Sequence, residues 1–475
     1  MSTSALHKTA TGILGMDEIT RGGLPSGRPT LLCGGAGCGK TVFSMEFIVH
    51  GIRDYGEPGV FLTLEETREK LNENFASLGI DIEEYMQSQM LFVDNLILDP
   101  EETTEMGKFN LDPLFLRLEH AIQKVGAKRL VVDTIEALFG LLNNNALLRS
   151  EIRRLFHWLS QKDITTIITG EKAGESLTRN GLEEFVSDCV ILLDHRVVDQ
   201  VSKRRMRIIK YRGSDHSSDE VPFTITREGV SVLPITSLSL NHTVSMERLS
   251  TGVADLDNMM GGTGFFAGSS ILISGTAGTG KSSLGSIFAA RACRDGKRGI
   301  YFSFEESPAQ IIRNMSSIGV PLEDYKDRGV LVMHSDRTSS LGLEEHLLYF
   351  LRVIREAEPD FIVMDPISNF FTVGNQSEVK AMLTRIVDYL KRSLITGVFI
   401  SLSDPDNSDE QTSVEISSLM DSWIVLKDYN HANEKRRLLY ITKSRGMSHS
   451  RSLMEMHITD EGITLSEPGF EIDGH

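Results

Sequence analysis

Two segments carry the strongest chemical signal in the sequence: Gly34 to Thr41 reads GGAGCGKT, and Gly275 to Ser282 reads GTAGTGKS. Both satisfy G-x-x-x-x-G-K-[ST], the pattern of a loop that cradles phosphates. Glycine is required because backbone N–H groups must come close to phosphate oxygens, and a side chain would hold them off. Lys40 and Lys281 supply a positive charge at the β- and γ-phosphates, and Thr41 and Ser282 supply a hydroxyl to Mg²⁺. The N-terminus of the helix beyond adds its dipole. The expected ATP contacts are Gly35, Gly37, Cys38, Gly39, Lys40, Thr41 and Val42, then Thr276, Gly278, Thr279, Gly280, Lys281, Ser282 and Ser283. A single match can be a structural turn, but two in strand–loop–helix context predict two nucleotide sites.

Acidic residues stand where such sites need them. Asp133 ends RLVVD and Asp365 ends FIVMD, and four apolar residues before an acid suit a buried strand whose tip faces Mg²⁺. The competing reading is an aspartate that caps the next helix. Thr134 and Pro366 follow these acids, not glutamate, so the base that activates a nucleophile must come from elsewhere. The pairs Glu65-Glu66 and Glu305-Glu306 are the candidates, because adjacent carboxylates repel and the raised pKa of one suits general-base work. A solvated helix start is the bland alternative. The expected metal positions are Thr41 and Asp133 in one half, and Ser282, Glu305 and Asp365 in the other.

KYRG and KSRG place Lys210 and Arg212, then Lys443 and Arg445, at matched positions far in sequence from their own phosphate loops. Cations so placed could act in trans on the γ-phosphate of a neighbouring subunit; a solvated strand edge is the alternative. His216 and His449 each stand three residues beyond the glycine of those motifs, which favours a shared ligand role.

These residues recur because the chain is one unit written twice. Thr11 to Asp17 (TGILGMD) recurs as Thr251 to Asp257 (TGVADLD), FLTLEET as YFSFEES, LVVDT as FIVMDP, and KYRG as KSRG, all in the same order. The join falls in the Ser/Thr/Asn-rich LPITSLSLNHTVSM, so domains are expected at 1–235 and 246–475. In the first copy PTLLCGG, GVFLTLE, MLFVDN, RLVVDT, TTIITGE and CVILLDH are near-continuous apolar runs, as buried parallel strands require. VFSMEFIVHGIRDYG and LFLRLEHAIQKVGA are helical in pattern. The alternation predicts an α/β fold, a doubly wound and mostly parallel sheet with antiparallel strands added at the end of each copy.

Composition narrows the function classes. A chain of 475 residues is too long for one ordinary domain. Its 49 Lys and Arg against 66 Asp and Glu give a net charge of −17, which disfavours nucleic acid as the main partner. No apolar run approaches the roughly 20 residues that span a bilayer, and the N-terminus lacks the apolar core of a signal peptide. Cys33, Cys38, Cys189 and Cys293 are scattered, which predicts reduced, buried thiols in a cytoplasmic protein.

The copies differ at one place with chemical meaning. When SDCVILL is aligned with MDSWIVL, Glu184-Phe185 face Ser417-Ser418. Hydroxyls present in one copy alone suggest a phosphoacceptor, and a serine-rich loop is the bland reading.

With GGAGCGKT, FLTLEET, KYRGSDH, PFTIT, GTAGTGKS, FSFEES and EISSLMD, the chain resembles the KaiC circadian clock family over essentially its whole length. The resemblance implies two tandem RecA-like P-loop domains that stack as a double-ring homohexamer with ATP between subunits. The first domain would be a slow ATPase, with Glu65 and Glu66 serving hydrolysis. The second would be a serine/threonine autokinase and autophosphatase: Ser417 and Ser418 the acceptors, Thr412 an assisting neighbour, Glu305 the general base. Lys210, Arg212, Lys443 and Arg445 would be the trans cations. The acceptor pair is Ser-Ser where the best-known members have Ser-Thr, and DPISNFFTVG lacks the arginine those members carry. The chain stops soon after MHITDEGITL, so a KaiA-type partner is not expected, whereas the resemblance leaves room for a KaiB-like partner on the first ring. The alternatives are a RecA/RadA-like DNA-dependent ATPase, since T-G-x-x-x-[LM]-D before a P-loop also opens such proteins, and a nucleotide-gated scaffold.

Overall fold

The computed structural model describes residues 6–96, 104–105, 108–109, 111–139, 145–172, 187–198, 201–233, 244–403, 416–431 and 434–469. Glu184, Phe185 and Thr412 lie outside them. The chain divides into two compact units, Met1–Ser237 and Leu238–His475.

The first unit is built on a nine-stranded sheet. Its order is Gly229–Val232, Val221–Thr226, Val201–Tyr211, Cys189–Val198, Pro29–Gly34, Thr165–Glu171, Arg129–Asp133, Gly59–Thr63 and Leu91–Asn95. From Cys189–Val198 to Leu91–Asn95 the pairs are parallel; the other three strands join antiparallel. The second unit repeats this plan: Leu331–Ser335, Gly299–Ser303, Phe361–Asp365, Thr396–Leu402, Ser270–Gly275, Ser422–His431, Glu434–Ser444, Met454–Thr459 and Gly462–Ser466. The expected mixed, mostly parallel sheets are therefore both present.

The apolar runs are strands because both their faces are covered. Leu31, Leu32, Phe61, Val131, Ile167 and Ile168 are fully buried, although successive residues point to opposite faces. In each unit the strand before the phosphate loop is central, with sequence-distant strands on either side. That is the topological switch point at whose carboxyl end α/β folds bind ligands.

The helices Lys40–Tyr55 and Lys281–Arg294 start at Gly39 and Gly280, with φ of +105° and +96°. A Cβ on either would press into a strand side chain, Ile225 for Gly39 and Ile458, at 2.8 Å, for Gly280. The antiparallel strands thus brace the loops from behind, and glycine is dictated by both conformation and space.

The repeated TGxxxxD segment is a structural bracket. Asp17 Oδ1 accepts from the backbone N and hydroxyl of Thr11, both at 2.8 Å. Asp257 Oδ1 accepts from the same groups of Thr251, at 2.8 and 2.7 Å. The motif that hinted at a DNA motor is thereby used up in closing a turn. All four cysteines are buried free thiols.

Candidate nucleotide and phosphoacceptor sites

In the first unit Lys40 is buried and folds back on its own loop, its Nζ donating to Gly34 O and Gly35 O at 3.0 Å each. In the second, Lys281 Nζ donates to Thr276 O at 2.6 Å. A Cβ built on Gly35, Gly37 or Gly278 would meet nothing within 4 Å, so these backbones front open space, as an approaching phosphate requires. Cys38 and Thr279 are buried, and Thr279 Oγ1 donates to Thr276 O at 2.8 Å; what they offer a phosphate is backbone. Val42 and Ser283 are half-buried in the first turn of their helices. Burial pushes Lys281 down to about 8, opposed by the carboxylates of Asp365, Glu305 and Asp428.

Asp133 and Asp365 end the matching strands of the two units and are almost fully buried. Their carboxylates bond across strands and do not cap the segment that follows. Asp133 Oδ1 accepts from the Thr169 hydroxyl, and Asp365 Oδ2 accepts from the Tyr301 hydroxyl at 2.7 Å. Burial raises the pKa of both acids; the hydroxyls of Thr169 and Thr41 and the charge of Lys40 oppose this for Asp133, and Tyr301, Ser282 and Lys281 for Asp365. Each unit thus places a loop hydroxyl beside a strand-end carboxylate. That is a hard-oxygen pair of the kind Mg²⁺ uses together with phosphate oxygens.

The paired glutamates separate into two roles. Thr63 Oγ1 and Ser303 Oγ bond both the backbone N and the backbone O of Glu66 and Glu306, which orders the turn. Asn95 Nδ2 and Ser335 Oγ donate to the same carbonyls, at 2.6 and 2.9 Å. The Glu66 and Glu306 carboxylates then bend toward the next helix, where Asn74 and Asn314 donate to them at 3.3 and 3.4 Å. Glu65 and Glu305 remain with the phosphate loops. Glu65 is exposed at the surface of the turn, yet partial desolvation raises its carboxyl first, then the carboxylates of Glu171 and Asp133, with Lys40 opposing. Glu66 contributes least, so the expected repulsion within the pair is a minor cause. The helix-start reading belongs to the next residue: Thr67 and Ser307 are the N-caps, Ser307 in a capping box with Gln310.

The KSRG cations reach the candidate acceptors of their own chain. Lys443 Nζ donates to Ser417 O at 2.8 Å and to Met420 O at 2.7 Å, and Arg445 Nη2 donates to Ser418 O at 3.1 Å. Ser417 is 7% exposed and Ser418 is exposed. Asp421 is structural: it accepts from Ser270 N and pairs with Lys391, each at 3.0 Å. In the first unit Arg212 lies 3.7 Å from Asp188, the matching acid. The strand-edge reading therefore does not describe Lys443, which is half-buried and lowered by burial, with Arg445 adding to it. His216 lies 3.4 Å from Ser214 O, and His449 Nε2 is buried with no hydrogen-bond partner among the described residues.

Sequence reasoning missed several neighbours. Arg204 donates to Gly37 O at 2.9 Å and Arg437 to Gly278 O at 3.4 Å, a matched pair of strand cations on the two phosphate loops. Their matched places in KRRMRIIKYRG and KRRLLYITKSRG were the available signal. Thr169 and Glu171 were read only as strand residues, and Tyr301 only as part of a repeated landmark.

Comparison with known proteins agrees with this geometry. The KaiC ATPase family model matches residues 9–237 and again 249–469. The chain is 48% identical to the "Circadian clock protein KaiC2" of Synechocystis sp., over 98% of this chain and 82% of that one. It is 37% identical to the "Circadian clock oscillator protein KaiC" of Parathermosynechococcus lividus, over 97% and 86%, and 36% identical to that of Synechococcus elongatus, over 98% and 90%. These findings favour that family over the DNA-dependent ATPase alternative. With its phosphate loop, strand-end acid and turn glutamate all present twice, the chain belongs to the KaiC family of nucleotide-binding ATPases.

Proposed function

We propose that the chain is a hexameric, ATP-driven autokinase and autophosphatase of the circadian-clock type, its domains spanning 1–235 and 246–475. The observation that carries this reading is the Ser417-Ser418 turn, gripped through its carbonyls by Lys443 and Arg445. Those are the cations expected to reach a neighbouring subunit's ATP, so acceptor and phosphate-binding charge share one scaffold.

When bound, ATP with Mg²⁺ supplies the γ-phosphoryl group. Lys281 and the backbone from Thr276 to Gly280 hold the phosphates, with Ser282 and Asp365 on the metal side. Glu305 takes the proton from the Ser417 or Ser418 hydroxyl as its oxygen bonds to phosphorus and the bond to ADP breaks. Lys443 and Arg445 stabilise the charge that develops. In the first repeat Glu65 orients and deprotonates water, with Lys40, Thr41 and Asp133 in the matching roles, Glu66 in support, and Lys210, Arg212 and His216 lent from the adjacent subunit; His449 does the same in the second ring.

Tryptic mapping after incubation with Mg-ATP tests the reading. Phosphate is expected on Ser417 and Ser418 and absent from a Ser417→Ala/Ser418→Ala variant. Phosphate confined to other segments, or none at all, would reject the kinase assignment. A KaiB-like protein docking on the first ring in the cytoplasm fits this proposal. Among the described residues no helix is long and apolar enough to cross a membrane.

A further inference from the structure

The two strand-end acids are anchored from opposite sides, and the residues responsible have exchanged character between the repeats. In the first sheet Arg129–Asp133 lies between Gly59–Thr63 and Thr165–Glu171. Its acid is held by Thr169 from the second of these strands. The facing position on the first strand is Phe61, in register with Val131, and it has no polar atom to give. In the second sheet Phe361–Asp365 lies between Gly299–Ser303 and Thr396–Leu402. Here the position of Phe61 is Tyr301, in register with Val363, and its hydroxyl holds Asp365 Oδ2 at 2.7 Å. The position of Thr169 is Ile400: Thr169 pairs with Leu32 and Ile400 with Ile273, the same residue of each phosphate-loop strand. Phe–Thr in one repeat has become Tyr–Ile in the other.

We propose that Tyr301 is a positioning residue for the second nucleotide site, fixing Asp365 so that its free oxygen meets Ser282 and the metal, and tying it to the strand that carries Glu305. This rests on the reading of Asp365 as the metal-side acid. Tyr301 is completely buried, so its hydroxyl has no water to fall back on, and a buried carboxylate oxygen without a donor is both costly and free to swing. A donor behind a metal-side carboxylate sets its orientation. The choice of flank matters because the strand Gly299–Ser303 runs directly into the Glu305 turn. In the second repeat the acid is therefore locked to the strand of the expected general base. In the first it is locked to the strand ending in Glu171. The kinase repeat holds base and metal-side acid as one rigid pair; the hydrolytic repeat leaves them on separate tethers.

The test uses the full-length chain and a fluorescent non-hydrolysable ATP analogue, with Mg²⁺ titrated against EDTA. Two Mg²⁺-dependent phases are expected, and the one that Lys281→Ala removes belongs to the second repeat. Tyr301→Phe deletes one oxygen and should move that phase about tenfold toward higher Mg²⁺, with the first phase and the affinity in EDTA unchanged. Tyr301→Phe/Ile400→Thr, which transplants the first repeat's anchor, should bring the midpoint back. Thr169→Val should move only the first phase. Midpoints that stay within twofold in Tyr301→Phe, or an equal loss of affinity in EDTA, overturn the inference. So does a first phase indifferent to Thr169→Val, which decides the matter should Tyr301→Phe not fold. A chain with no Mg²⁺-dependent analogue binding rejects the nucleotide reading itself, and this inference with it.

Discussion

Glu305 and Glu306 are neighbours in sequence with different partners in space, and the difference is testable. Glu306 is engaged by Asn314 at 3.4 Å, while Glu305 lies in the field of Lys281 and Asp365. Glu305→Gln should slow autophosphorylation by about 10²–10⁴-fold, the usual worth of a general base, with analogue affinity little changed. Glu306→Gln should cost only a few-fold, and equal losses in the two variants, read by phosphate incorporation, would reassign the base. Glu65 supplies a pH signature. Its carboxyl is raised by partial desolvation and by Glu171 and Asp133, and a base acts only when deprotonated. Hydrolysis by the first repeat should therefore fall on acidification at a higher pH than an ordinary glutamate would set, and Glu65→Gln should abolish that limb of the pH–rate profile. Lys281 gives the opposite sign. Held near about 8 by burial, it must regain its proton to meet phosphate, so the nucleotide affinity of the second repeat should decline above about pH 8.

At the scale of the element, the helix after each phosphate loop is pinned to the sheet differently in the two units. Glu46 of Lys40–Tyr55 is 3% exposed, and both its carboxylate oxygens lie 2.9 Å from Val230 N. The matching residue of Lys281–Arg294 is the buried Ile287. Burial raises Glu46 from 4.5 to about 7. Because the folded pKa lies above the unfolded one, the fold binds more protons between those values, and stability drops as pH rises from 4.5 to 7. The full shift corresponds to about 3 kcal/mol at most. Glu46→Gln keeps an acceptor for Val230 N and removes the titration, so it should stabilise the first unit by about 1–3 kcal/mol at pH 8 and flatten its dependence on pH. Thermal unfolding at pH 5 and pH 8 reads this directly; no gain at pH 8 would show that the carboxylate is satisfied as it stands.

At the scale of the whole molecule, the proposal needs more than one copy of the chain. In saturating Mg-ATP the protein should size at about six times 52.8 kDa. Mixing offers a sharper measurement. Subunits carrying Glu305→Gln and subunits carrying Ser417→Ala/Ser418→Ala should each fail alone, yet regain phosphorylation when assembled together, because base and acceptors then come from different chains. Mixed assemblies that stay unphosphorylated would place transfer within one chain. The net charge of −17 adds an expectation about nucleic acid: DNA should leave hydrolysis unchanged across the ordinary range of salt.

Motifs whose chemistry depends on residues adjacent along the chain could be read before any fold was known. The phosphate loops need their glycines, lysine and hydroxyl in one unbroken run, Asp133 and Asp365 need only the apolar strand before them, and a tandem duplication is visible in the order of its landmarks. Buried parallel strands announce themselves for the same reason, since both faces must be apolar. Groups that meet across strands left no such mark. Thr169 on Asp133, Tyr301 on Asp365, Arg437 on Gly278 and Lys443 on Ser417 join residues 26 to 159 positions apart. Only strand order and register could bring them together. The division of labour within Glu65-Glu66 and Glu305-Glu306 was equally hidden, because a turn fixed by Thr63 or Ser303 decides which carboxylate faces the phosphate loop and which turns to the helix beyond.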